Sequence, residues 1–186
     1  MADRRMKVSF TLDEKDISYF RSRFQKAKRV ARSQDDDEVK AQARSLVETV
    51  RSKKGIPHFV IESVSAIEDL VALIEDEDYR APKVVANKVV AALAYFADPD
   101  DLIPDEIPVL GFLDDAIMIK IVEIEFKHEL AAYRKFRRFQ RGAEQRPWTS
   151  VARDRLPERL EAERKKLREE VDRKQKADDK KAPHIL

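Results

Sequence analysis

The chain predicts an all-α fold, a bundle of about five helices, and three observations lead there. Apolar residues recur at spacings of three and four over most of its length, the period of a helix with one buried face. Only three glycines are present, too few positive-φ positions for an extensive antiparallel sheet. Charged residues make up 40% of the chain, well above the roughly one quarter of an ordinary soluble domain, beside 42% hydrophobic residues. That mixture suits helices with an apolar stripe and a densely charged outer face.

The first helix is expected from Thr11-Leu-Asp-Glu14, a capping-box pattern in which the threonine accepts from the N3 amide and the glutamate reaches back. Ile17, Phe20, Phe24, Ala27 and Ala31 form its apolar face, with Arg21, Arg23, Lys26, Lys28, Arg29 and Arg32 around the rest. Before it, Met6 to Leu12 reads as a short extended arm packed on the helices. Asp35-Asp-Asp-Glu38 suits the positive end of a second helix, whose stripe is Val39, Ala43, Leu46, Val47 and Val50 and whose stop is Lys53-Lys54-Gly55. Pro57 opens a third, burying Phe59, Val60, Val64, Ile67, Leu70, Val71 and Ile74 and fraying over Glu75 to Asp78. Pro82 opens a fourth, apolar on most sides from Val84 to Ala97 and therefore central. A fifth runs from about Phe112–Asp114 to about Gln140. Beyond Gly142 and Pro147, Ser150 to Lys176 carries a thin stripe of Leu156, Leu160, Leu167 and Val171, expected as a projecting helix or half of a coiled coil, with disorder from about Ala177. The expected organisation is N-terminal helices over 1–82, a hairpin over 83–141 and a charged extension over 142–186.

Between the fourth and fifth helices, Pro99, Pro104 and Pro108 forbid continuous helix, because proline gives no N–H and drives its predecessor towards extended geometry. Leu102, Ile103, Ile107, Val109, Leu110, Phe112 and Leu113 are nevertheless as apolar as a core, so the connector should fold back between the helices. The order Asp98-Pro99-Asp100-Asp101-Leu102-Ile103-Pro104-Asp105, then Ile107-Pro108-Val109-Leu110-Gly111 and Leu113-Asp114-Asp115, resembles the YkvA-like family, also called domain of unknown function 1232. The resemblance covers about Lys83 to Ile121. It implies a bacterial helical hairpin around an acidic Pro/Gly turn, often membrane-associated, and an integral membrane location for some members. Asp101 and Glu106 stand where the family commonly has uncharged residues, which disfavours deep burial of this turn in lipid.

Three constellations are candidates for chemistry. Asp98, Asp100, Asp101, Asp105, Asp114 and Asp115 are oxygen ligands of the kind a hard divalent cation takes, or else turn formers and helix caps, with Pro99, Pro104, Pro108 and Gly111 shaping the loop. Glu125 and His128 share a helical face, as in di-iron bundles, but no second such motif accompanies them. Tyr133, Arg134, Lys135, Phe136, Arg137, Arg138 and Arg141 interleave rings and cations, a pattern that suits an anionic membrane surface or, less well, single-stranded nucleic acid, and equally suits the end of a core. The absence of cysteine excludes disulfides and thiolate chemistry. No phosphate loop, nucleophile elbow or zinc-protease motif occurs, so catalysis is not expected.

The formal charge is only +2, from 38 basic and 36 acidic residues, so any electrostatic function must come from local clustering. The first twelve residues have too short an apolar run for a signal peptide, and the fourth helix, at about 14 residues, falls short of the roughly 20 of a membrane span. The expectation is a cytoplasmic, non-enzymatic structural or interaction module, without a fixed cofactor, peripheral to an anionic membrane or bound to a protein partner. The alternatives are a divalent-metal enzyme or sensor at the acidic turn and a nucleic-acid-binding protein. The leucine stripe of the extension offers a route to a homo-oligomer.

Overall fold

A computed structural model describes residues 11–31, 35–54, 56, 58–96, 113–144 and 154–181. Among the described residues the chain forms seven α-helices and no strand. They are α1 (Glu14–Ala31), α2 (Asp36–Ser52), α3 (His58–Glu75), α4 (Lys83–Leu93), α5 (Leu113–Glu125), α6 (Lys127–Glu144) and α7 (Leu156–Asp179). Most of the expected arm and most of the proline-rich connector lie outside the described residues.

The first helix starts later than its threonine suggests. Asp13 Oδ1 accepts from the backbone N–H groups of Lys15 (2.7 Å) and Asp16 (3.1 Å), and the Asp13 N–H donates to Asp16 Oδ2 (2.9 Å). The reciprocal box is therefore Asp13 with Asp16, since aspartate caps at least as well as threonine and stands directly before the first helical residue. Asp35 caps α2 as expected, accepting from the Asp37 N–H at 2.8 Å.

The third helix does not fray. Asp76 Oδ1 accepts from the N–H groups of Asp78 (3.0 Å) and Tyr79 (2.9 Å), and the Asp76 carbonyl takes the Arg80 N–H (2.9 Å). This ordered turn carries Arg80 at a φ of 49°, a left-handed conformation that side chains rarely adopt. Helix α4 tightens into i→i−3 bonds at Tyr95 (3.3 Å) and Phe96 (3.0 Å), ending short of the expected Ala97.

The expected fifth helix divides at Phe126 into α5 and α6, though the Phe126 N–H still reaches Val122 and Leu130 still reaches Phe126, both at 2.9 Å. The hydrogen-bond ladder thus runs through the bend. Gly142, read as a boundary, lies inside α6.

The principal core lies among α1 to α5. Phe20, Phe24 and Ala27 of α1 join Val39, Val47 and Val50 of α2, Val64, Ile67 and Leu70 of α3, Val89 to Leu93 of α4 and Met118, Ile119 and Val122 of α5. Burying each large side chain contributes roughly 1.5–3 kcal/mol. Phe59, expected inside, is half exposed. Ion pairs Arg44–Glu75 and Arg51–Glu68 set α2 antiparallel to α3.

A second cluster joins Leu73 and Tyr79 to Ala132, Tyr133 and Phe136 of α6 and Leu160, Leu167 and Val171 of α7. The extension therefore does not project: α7 lies antiparallel on α6, as the pairs His128–Asp178 and Lys135–Glu170 show. Its leucine stripe, expected as an oligomer face, is covered within the chain, and its helix continues past Ala177 to Asp179.

Candidate functional site

The acidic turn is anchored by two described stems. Tyr95 and Phe96 end the α4 side, their rings edge-to-face at 5.2 Å, and Asp114 and Asp115 open α5, where the positive end of the helix dipole favours carboxylates. Helix α1 lies alongside, so that Tyr95 feels Asp115, Asp114, Arg23 and Tyr19. Burial first, then the two carboxylates, pushes the Tyr95 hydroxyl well above its ordinary pKa, with Arg23 opposing. Asp114 is only 4% exposed. Asp98, Asp100, Asp101 and Asp105, with Pro99, Pro104, Pro108 and Gly111, lie outside the described residues. Among the described residues no group of three or more His, Asp or Glu side chains is placed to hold a metal ion.

The ring-and-cation segment is split by the fold into a covered and an open half. Tyr133 is 3% exposed and Phe136 fully covered, both packed edge-on or tilted against Tyr79 at 5.1 and 5.3 Å between ring centres. Neither ring is open to stack on a base or a lipid headgroup in this arrangement. The Tyr133 hydroxyl donates to Asp76 Oδ2 at 3.2 Å; burial, then Asp76, raises its pKa. Arg134 Nε donates to Asp69 (2.6 Å), Lys135 Nζ to both oxygens of Glu170 (2.7 and 2.9 Å) and Arg137 Nη1 to Gln140 Oε1 (2.7 Å), with Asp76 at 3.6 Å. Arg134, Arg138 and Arg141 remain exposed along one side of α6.

Beneath these lies a polar network that sequence spacing does not reveal. Arg168 of α7 donates through Nη1 to both oxygens of Glu129 (2.7 and 2.9 Å), and its guanidinium carbon stands 5.7 Å from the Tyr79 ring centre. Gln140 Nε2 reaches Asp78 Oδ2 at 2.7 Å and Arg164 reaches the Asp78 carbonyl at 3.3 Å. The Tyr79 hydroxyl is buried with no hydrogen-bond partner; Arg168 lies beside it outside bonding geometry. Only the turn-forming string Glu75-Asp-Glu-Asp78 hinted at this site, because its partners come from helices more than fifty positions away.

Glu125 borders a cleft of about 150 Å³ with Lys28 and Lys88, and His128 Nε2 lies 2.8 Å from Asp178 Oδ2. Among the described residues no helix is long and apolar enough to cross a membrane.

These features define an all-α protein in which one apolar cluster joins α1 to α5 and a second joins the end of α3 to α6 and α7. Residues 88–121 match the family model described as "Protein of unknown function (DUF1232)", in keeping with the resemblance of that segment to the YkvA-like family. Over 49 residues the chain is 43% identical to a Bacillus subtilis (strain 168) protein named "Uncharacterized membrane protein YkvA". That match covers 26% of this chain and 46% of the relative, so the chain spans about half the length of the curated relative it matches. No solved structure matches.

Proposed function

We propose that this protein is a non-enzymatic interaction module that docks peripherally on an anionic membrane surface. The observation that carries this reading is the segregation of positive charge. Helix α6 holds six basic residues against two acidic ones, and so does α1, in a chain whose net charge is only +2. On α6 the open side is Arg134, Arg138 and Arg141; on α1, Lys15, Lys26 and Arg29 are exposed beside the half-exposed ring of Tyr19. Clustered cations near an anionic leaflet are each worth about 1 kcal/mol. The relative's name as a membrane protein supports the same location, and the lack of a spanning helix among the described residues favours the surface. Nucleic acid fits less well, since the rings that would stack on bases, Tyr133 and Phe136, are core residues.

The test is flotation with vesicles containing phosphatidylglycerol, at low and high salt. Binding should fall with salt and fall further in Arg138→Glu/Arg141→Glu, two exposed positions whose reversal leaves the core intact. Equal flotation with neutral phosphatidylcholine vesicles would sink this reading.

A further inference from the structure

Helix α6 carries rings and cations together, and its rings are buried between α7 and the Tyr79 ring of the turn after α3. The cover is weakly held. Sixteen of its 24 residues are charged, eight of each sign, so its apolar grip on α6 is Leu160, Leu167 and Val171 with half-buried Leu156. The other ties are polar or cation-on-ring: Arg168–Glu129, Lys135–Glu170, the contacts of Lys127 and His128 with Asp178, Arg164 with the Asp78 carbonyl, and Arg159 and Arg168 over the Phe139 and Tyr79 rings. The Lys127–Asp178 and Lys135–Glu170 pairs keep solvent access and are screened by salt, whereas Arg168–Glu129 is largely covered and is the firmer tie. Once lifted, a helix with sixteen charges is well solvated, whereas the side of α6 it leaves, with Ala132, Phe136 and Phe139, needs a new apolar contact.

We infer that α7 is a removable cover, and that an anionic lipid surface displaces it from α6. Glu170 and Asp178 occupy the Lys135, Lys127 and His128 side chains that lipid phosphates would otherwise take. Leu167 and Val171 occupy the rings that would sit at the headgroup level. The inference rests on the membrane reading above and adds its regulation: closed, α6 presents the exposed Lys127, Arg134, Arg137, Arg138 and Arg141; open, it adds Lys135, His128 and the ring-bearing side that α7 had covered.

The test uses the full chain in three forms of equal net charge. Leu167→Ser/Val171→Ser loosens the cover. Lys135→Cys/Glu170→Cys, bridged by a short bismaleimide, locks it, and the chain has no other cysteine to react. Loosening should strengthen binding to phosphatidylglycerol vesicles about tenfold, and bridging should weaken it about tenfold against the unbridged variant, within the usual range of such couplings. Circular dichroism checks that each form keeps its helices; should the serine variant unfold, the bridged pair still decides. Equal binding before and after bridging overturns the cover and leaves the membrane reading standing. Binding by none of the forms overturns both.

Discussion

Tyr79 is the residue on which the second cluster turns. Its ring meets Tyr133 and Phe136, its backbone N–H is held by Asp76, and its hydroxyl is buried without a partner. Burial, then the nearby Glu129 carboxylate, pushes the phenol up to about 12, with Arg168 pulling the other way. A buried donor without an acceptor costs about 1–3 kcal/mol, so removing the oxygen while keeping the ring should not destabilise the protein. Tyr79→Phe is expected to be neutral or to raise unfolding stability by up to about 1 kcal/mol in urea titrations. Tyr79→Ala, which empties the space between two rings, should cost about 3–5 kcal/mol. A loss above 1 kcal/mol in the phenylalanine variant would show that the hydroxyl is paired, through water or otherwise.

At the scale of the element, the helix boundaries test how far local chemistry is legible. The start of α1 rests on Asp13, so Asp13→Ala should cost about 1 kcal/mol, whereas Thr11→Ala should cost less than about 0.3 kcal/mol, measured by thermal or urea unfolding. The reverse order would restore the threonine box. Stripes, caps and stops are local, which is why Asp35, the α2 stripe and the buried run Val89 to Leu93 are readable from spacing alone. Interleaved Tyr133 to Arg141 was readable as a pattern but not as a placement. Whether such a helix faces solvent depends on what covers it, and the cover is a helix some thirty positions further on, tied by Glu170 to Lys135. The same limit hid Arg168–Glu129 and turned the expected free extension into a packed one. The bend at Phe126 has no proline or glycine to announce it.

On the scale of the whole molecule, two apolar clusters of unequal character share one chain, and acid should separate them. Hydrogen bonds from Lys135 and then Lys174 hold Glu170 down at about 2, and those from Lys127 and then His128 hold Asp178 at about 2. Their ordinary values are 4.5 and 3.8. Because both are lowered by folding, the unfolded chain binds more protons in this interval, and stability rises with pH across it. Their contribution is complete above about pH 4.5 and is lost as the pH falls towards 2. Both carboxylates are on α7 and face α6, while the principal core among α1 to α5 is apolar. Acidification from about pH 6 to about pH 3 should therefore lower the amide exchange protection of α7, taken relative to the unstructured rate at each pH, before that of α3 and α4. High salt at neutral pH should move α7 in the same direction by screening the same pairs. Glu170→Gln/Asp178→Asn should bring the neutral-pH protection of α7 close to its acid value, after which acid lowers it little further. Protection that falls together in α3, α4 and α7 would instead mean that the two clusters unfold as one unit, with α7 held as firmly as the principal core.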